Sequence, residues 1–393
     1  MRITYKLVLL ALCAFLTSCD SDSDSDSHFE MICQSISTEI PTTSLMTLQE
    51  KIDDYLNKTV APNGSGLAVL VMNQNTVMYK GVKGMARIAD GIAISEETRF
   101  RLASISKTFT ALAVMQLYEQ NQLRLEDSIT TFLPTLPAEW ADITIHHLLA
   151  HQSGIPDFIN DISSSRFSRE VMADEVMQFL VSGPKLKFQP GTQAQYSNSG
   201  YFLLTQIISS VSGLSFADFM NTNIFQPAGM ETSYIYDQPE KFGANDALSR
   251  GNNELLYGKL WLAPGASSQV SSLNDFENFY FSLMSSQIIS DKTFNLMIQP
   301  HSSGIFNRNY GYGFLINPSN RSEIGHEGLL GGFTPAMRID LDKKWYVVVL
   351  NNGVGSGRSY AIMNIVSDHY ASGSSPSLPE KDTQTTKNPV NCQ

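Results

Sequence analysis

The sequence predicts an α+β fold: an antiparallel sheet built from both chain ends, flanked by helices, with a mainly helical region inserted between the two sheet-forming parts. Three observations carry that reading. β-rich runs cluster early, at 67–80, and late, at 312–350, whereas helix signals dominate from Ser104 to about Met230. Strands that segregate to the two ends must pair across the insertion, because unpaired strands leave backbone donors and acceptors unsatisfied. No repeat of 20 to 50 residues is present, which disfavours solenoids and propellers.

The elements follow in chain order. Arg2 and Lys6 precede an apolar run at 7–16, then Thr17, Ser18 and Cys19. A run this short cannot span a bilayer and reads as an export signal. Leu16-Thr17-Ser18-Cys19 resembles a bacterial lipobox, in which the cysteine becomes the lipidated first residue. Residues 1–18 are therefore expected to leave as a signal peptide. Residues 19–44, with alternating Ser and Asp from Asp20 to Ser27, form a lipidated flexible tether; about 25 such residues reach roughly 28 Å. The folded domain is expected over 45–370 and a polar C-terminal tail over 371–393. The expected location is an exported bacterial lipoprotein, membrane-anchored and facing the periplasm or the cell exterior. Cys13 leaves with the signal and Cys19 takes lipid, so Cys33 and Cys392 remain as a pair expected to bridge the two tails.

Within the domain, Leu67 to Met72 and Thr76 to Lys80 flank Asn73-Gln74-Asn75, a hairpin signal. Strands are expected again at Tyr312 to Ile316, Phe333 to Leu341 and Trp345 to Leu350, the last two joined by Asp342-Lys343-Lys344. The 393 residues are 42% apolar, so the chain has ample material for a core. A net charge of −11 argues against a nucleic-acid partner, which needs a basic face.

Ser104 stands at the start of an apolar helical segment with Lys107 three residues on, so both side chains share one helix face. A serine hydroxyl is a weak nucleophile until a neighbour takes its proton, and a lysine serves once burial lowers its pKa. The pattern recurs at Ser182-Gly183-Pro184-Lys185, where Gly183 and Pro184 break the helix and part the two side chains. Tyr196-Ser197-Asn198 adds a phenol able to relay protons and an amide able to orient groups. Tyr55-Leu56-Asn57 has the same spacing but lies in an amphipathic, helix-like stretch. His326-Glu327-Gly328-Leu329 opens the late β-rich segment, and Gly328 would let a substrate backbone approach an edge strand.

Ser104-x-x-Lys107, Tyr196-x-Asn198 and His326-x-Gly328, spaced 92 and then 130 residues apart, resemble the three motifs of the serine β-lactamase and penicillin-binding protein superfamily. The likeness is to its class C-like branch of D,D-carboxypeptidases, D-aminopeptidases and carboxylesterases. It extends through 144–156, 225–232 and 310–313. The resemblance implies a β-lactamase/transpeptidase-like fold and a serine hydrolase cleaving an ester or peptide-like amide through an acyl-enzyme. In that reading Ser104 is the nucleophile, and Lys107 and Tyr196 move protons. Asn198, His326, Gly328 and Leu329 bind substrate, with the amides of Ser104 and Leu329 as oxyanion hole. No cofactor and no metal are expected. The partners are a small-molecule or peptidoglycan-like substrate and, through the lipid, a membrane.

Two departures bear on the substrate. His326 stands where β-lactamases usually carry Lys, and a neutral imidazole attracts a carboxylate less than an ammonium does. Glu327 adds negative charge if it faces the cleft, leaving open an ester, a neutral amide or a substrate with a free amine. The alternative function is a non-catalytic or slowly acylating binder of peptidoglycan fragments or β-lactams. His147 and His151, at i and i+4, lack a zincin glutamate and read as structural.

Overall fold

The computed structural model of this protein describes residues 46–161, 172–238, 241–249, 264–355 and 357–372. Cys19, the tether, the Cys33–Cys392 pairing and the tail beyond residue 372 lie outside them. Helix α1 (Leu48–Thr59) opens with a capping box in which Thr47 and Glu50 satisfy each other's backbone N–H. Its Leu48, Ile52 and Leu56 are buried on one face. Tyr55 and Asn57 therefore belong to a structural helix, as their setting in the sequence indicated.

Strands β1 (Leu67–Asn73) and β2 (Thr76–Lys83) form the expected hairpin, turned by Gln74 at φ 53°. Short strands β3 (Met85–Arg87), β4 (Ile92–Ala93) and β5 (Phe100–Arg101) follow. The helical region then contributes α2 (Ser106–Glu119) and α3 (Asn198–Ser212), and also two short strands, β6 (Tyr234–Ile235) and β7 (Gln269–Ser271). These pair with β5 in a small sheet ordered β5-β7-β6, which ties the chain just before Ser104 to a segment far along the sequence.

The late β-rich part supplies β8 (Ser302–Ile305), β9 (Arg308–Tyr310), β10 (Leu315–Ile316), β11 (Glu323–Glu327), β12 (Ala336–Asp340) and β13 (Trp345–Asn351), before the closing helix α4 (Gly357–Ala371). The main sheet is ordered β2-β1-β13-β12-β11-β10-β9-β8. Early β1 lies antiparallel to final β13, from Leu67 opposite Asn351 to Asn73 opposite Trp345. The sheet is thus made from both ends of the chain.

Side chains alternate across the sheet, so each central strand feeds two cores. Leu67, Val69 and Val71 of β1 pack with Val347 and Val349 of β13 beneath α1 and α4. Ala68, Leu70 and Met72 join Val348 and Leu350 in the larger core shared with α2 and α3. With both faces covered, β1 and β13 read as continuous apolar runs rather than alternating ones. Truncating the fully buried Leu70 to Ala would cost about 2–5 kcal/mol.

Two expected strands are shorter than their sequence runs. Of 312–316 only Leu315 and Ile316 pair; Gly313, at φ 77°, presses against α2, and its carbonyl accepts from Thr108 Oγ1 at 2.7 Å. That contact pulls Tyr312–Phe314 out of the ladder. Phe333 precedes its strand, which begins at Ala336, because Gly331 and Gly332 adopt positive φ and curl 328–335 into a loop. The turn at 342–344 forms as expected, with Asp340 Oδ1 accepting from Asp342 N and Lys343 N.

Candidate active site

Ser104 owes its position to two restraints. Leu102 N donates to Gln269 O at 2.9 Å, and Gln269 N in turn donates to Ser106 Oγ at 3.0 Å. Between them, buried Ala103 takes φ 47° and opens a 3₁₀ turn (Ala103–Ile105) that runs into α2. An L-residue in that region costs roughly 1–2 kcal/mol, a strain that the surrounding packing sustains. α2 is buried along almost its whole length, from Ser106 to Val114 and beyond. The serine therefore stands on a rigid support.

Lys107 is completely buried. Its Nζ donates to Asn198 Oδ1 and to Ala266 O, each at 2.8 Å, and lies 3.3 Å from Ser104 Oγ. The same nitrogen sits 4.7 Å from the centre of the Tyr196 ring. Burial pushes its pKa down to about 7, against the opposing pull of the Asp157 carboxylate. A neutral amine has two N–H donors and one lone pair. The two short bonds take the donors, which leaves the lone pair for the serine.

Tyr196 lies in the loop before α3. Its hydroxyl is buried and meets no partner in full hydrogen-bond geometry among the described residues, although Ser104 is close enough to draw its pKa down. Burial outweighs that effect and raises the phenol well above its usual range. It is held as a proton donor beside a lysine held near neutrality. The ring is backed by His151, 4.5 Å away between centroids. His151 follows the helix Ile145–Leu149 rather than continuing it, turning at φ 60°, and its Nδ1 accepts from Ser197 N at 3.2 Å. His147 instead accepts from Thr144 N at that helix's start, so the two histidines do not share a helix face.

Asn198 is held by a residue the sequence reading did not single out. Its backbone N and its Nδ2 both donate to Asp157 Oδ2, at 3.0 and 2.9 Å. Asp157 Oδ1 accepts from Ile159 N at 3.0 Å. With Nδ2 thus engaged, Oδ1 can only face Lys107. The available sequence signal was proximity: Asp157 directly follows the family-like stretch 144–156.

The opposite wall comes from the main sheet. His326 of β11 is buried, and its Nδ1 contacts Glu327 O at 2.8 Å while its Nε2 contacts Tyr310 Oη at 3.1 Å. A carbonyl can only accept, so Nδ1 carries the proton and Nε2 accepts from the tyrosine. Burial, with the nearby charges of Lys107 and Arg308, pushes the imidazole down to about 3. His326 is neutral with both nitrogens engaged, and what it offers the cleft is its ring.

β11 is an inner strand, not the edge strand expected, since it pairs with both β10 and β12. Only Ile324 and Gly325 meet β10, however, so the His326–Glu327 end is open on that side. Gly328 also serves a close approach that was not foreseen. A Cβ there would lie 2.6 Å from Leu102 O and 2.9 Å from the Ala103 Cβ, so the glycine lets the sheet touch the turn that carries Ser104. Beyond it, Gly328 N and Leu330 N donate to Pro335 O and Phe333 O. Leu329 lies between them with its side chain exposed.

Ser104, Tyr196, Asn198, His326, Gly328 and Leu329 all line one cavity of about 430 Å³, with Lys107 behind it. The cavity lies between the helical region and the sheet, where the sequence placed the crevice. Glu327 also lines it and pairs with Arg308 at 3.1 Å. A wider depression of about 590 Å³ between α1 and β2 holds none of these groups.

The Beta-lactamase family profile matches residues 52–371, the same span that supplies both walls of the cavity. The chain belongs to the Beta-lactamase family. It is 26% identical over 346 residues to penicillin-binding protein 4* of Bacillus subtilis, covering 82% of this chain and 76% of that protein. It is 31% identical over 193 residues to esterase EstB of Burkholderia gladioli, covering 45% and 49%. Among solved structures, a penicillin-binding protein from Bacillus halodurans superposes with a TM-score of 0.70 at 25% identity, over 81% of this chain and 98% of that one. D-amino acid amidase from Ochrobactrum anthropi SV3 superposes with a TM-score of 0.68 at 20% identity, over 84% and 99%, a likeness of fold.

Proposed function

We propose that this Beta-lactamase family member is a serine hydrolase that cleaves an ester or peptide-like amide through an acyl-enzyme on Ser104. One observation carries the reading: the Nζ of buried Lys107, bonded at 2.8 Å to Asn198 Oδ1 and to Ala266 O, lies 3.3 Å from Ser104 Oγ. Neutral Lys107 takes the serine proton as Oγ attacks the carbonyl carbon. The amides of Ser104 and Leu329 receive the developing oxyanion; one such donor is worth roughly 3–4 kcal/mol in other hydrolases. Tyr196 then protonates the departing alkoxide or amine and recovers its proton from Lys107. Water attacks the ester so formed and passes a proton to Lys107; the bond to Ser104 Oγ breaks, Lys107 returns the proton to that oxygen, and the acid leaves.

Relatives named as penicillin-binding proteins and as an esterase support hydrolysis of small or peptidoglycan-like acyl compounds. The test is labelling by a serine-directed fluorophosphonate, beside hydrolysis of a nitrophenyl ester, a chromogenic cephalosporin, a D-alanyl-D-alanine peptide and a D-amino-acid anilide. Labelling of wild type but not of Ser104→Ala, with turnover of at least one compound, is expected. No labelling, or equal labelling of both, rejects the acyl-enzyme and leaves the non-catalytic binder.

We also propose that Cys19 carries lipid and anchors the exported domain to a membrane through the tether. The support is the signal-like segment 1–18 and the lipobox-like 16–19. Metabolic labelling with a fatty acid that is absent from Cys19→Ser bears on this directly.

A further inference from the structure

Two of the most exposed large apolar side chains among the described residues, Phe306 at 63% and Leu329 at 76%, line the cavity that holds Ser104. A single exposed apolar residue needs no explanation, but two at one cleft form a patch. They continue inward as Phe158, Ile159, Leu315 and Leu330.

Phe306 is held there against local preference. β8 and β9 close through Ile305 opposite Arg308, leaving Phe306-Asn307 as a two-residue loop with φ of 51° and 60°. Such loops favour Asn or Gly at the first position, and a bulky residue at positive φ is an outlier. The ring gains little burial in return. It lies 4.9 Å from the Tyr196 ring, at 50° between planes.

The charges point the same way. Among the described residues no Lys or Arg lines the cavity, and the one charged lining residue is Glu327, whose partner Arg308 is already engaged with it. His326 has no free nitrogen. Among the described lining residues a substrate carboxylate would find a carboxylate and no unpaired cation.

We propose that Phe306 and Leu329 form an apolar clamp over Ser104, and that the substrate is a neutral ester or amide with an apolar acyl chain rather than a carboxylate-bearing one. This rests on the hydrolase reading above and narrows it. The chain of the acyl group lies between the two side chains, and its burial offsets the strained turn. A fully buried methylene is worth about fourfold in affinity, and less in an open cleft.

The test is a series of p-nitrophenyl esters from acetate to octanoate, with a carboxylate-bearing chromogenic cephalosporin alongside. In wild type kcat/KM is expected to climb with acyl length, octanoate exceeding both acetate and the cephalosporin by about tenfold or more. Phe306→Ala is expected to lower the octanoate-to-acetate ratio by about tenfold. Phe306→Asn, which suits the turn, should lower that ratio as much while its Tm equals or exceeds that of wild type. The clamp is overturned if wild type shows no rise with chain length, if both variants keep the wild-type ratio, or if the cephalosporin is preferred. Those results leave the hydrolase reading standing. If wild type cleaves no ester and Ser104 takes no fluorophosphonate, that reading fails and the clamp falls with it.

Discussion

The two Ser-x-x-Lys segments share a spacing and almost nothing else. Ser104 and Lys107 straddle a strained 3₁₀ turn and the first turn of a buried helix, and their polar atoms lie 3.3 Å apart. Ser182 closes a short helix (Ala173–Val181), its hydroxyl donates back to Phe179 O, and Gly183 at φ 71° turns the chain away. Lys185 then lies in solvent. What separates them is dielectric and partner set: one lysine is desolvated among three polar partners, and the other remains hydrated. A nucleophile motif is therefore a statement about spacing that chemistry honours only where the second residue is stripped of water.

The sharpest way to break this comparison is to delete each serine. Ser104→Ala should remove covalent labelling and lower kcat by roughly 10⁴-fold or more, while Ser182→Ala leaves both within twofold (about the scatter of an exposed substitution). Equal effects would mean that environment does not distinguish the pair. Next come the lysines. Lys107→Ala should slow acylation by about 10²-fold, with Lys185→Ala unchanged. The wild-type acylation rate should rise as pH passes upward through about 7, the pKa to which burial lowers Lys107, because the neutral amine is the competent form.

A smaller effect sharpens the role of Asp157. Its charge raises the Lys107 pKa and its carboxylate fixes Asn198. Asp157→Asn should slow acylation by about tenfold and also move the acid limb of the pH–rate profile to lower pH. A slower variant with an unmoved limb would reduce Asp157 to a purely structural part.

The smallest expected effect is on stability. Lys107 is lowered from 10.5 to about 7, so the folded chain holds fewer protons there than the unfolded chain between those values. Stability from this group is thus gained as pH rises through that window, and the penalty of the buried charge is complete below it. Lys107→Met should show a higher Tm than wild type at pH 6, with the gap narrowing by pH 9. A gap independent of pH would show that the amine is not titrating near neutrality.

Much of this was legible in the linear chain because it depends on short range. The hairpin at 73–75, the break at Gly183-Pro184 and the three motifs each lie within a few neighbouring residues. The crevice between sheet and helical region followed from where strand-forming runs fall. The rest depended on contacts between distant residues. Asp157 matters through Asn198, 41 positions on. Tyr312–Phe314 look β-forming yet are captured by Thr108, 205 positions earlier. Gly328 was read as making room for substrate; that it also makes room for Leu102 and Ala103 was not legible. No periodicity encodes such pairings.

The partnership of β1 with β13 has a consequence for how the polypeptide is made. Synthesis delivers Leu67–Asn73 first, yet the neighbour that covers one edge of that ribbon is Trp345–Asn351, which is made much later. Until it emerges, six consecutive apolar residues present open backbone to any passing chain, a template for aggregation. Cooperative closure must await the synthesis of β13, so truncations ahead of that strand should yield insoluble fragments rather than a smaller enzyme.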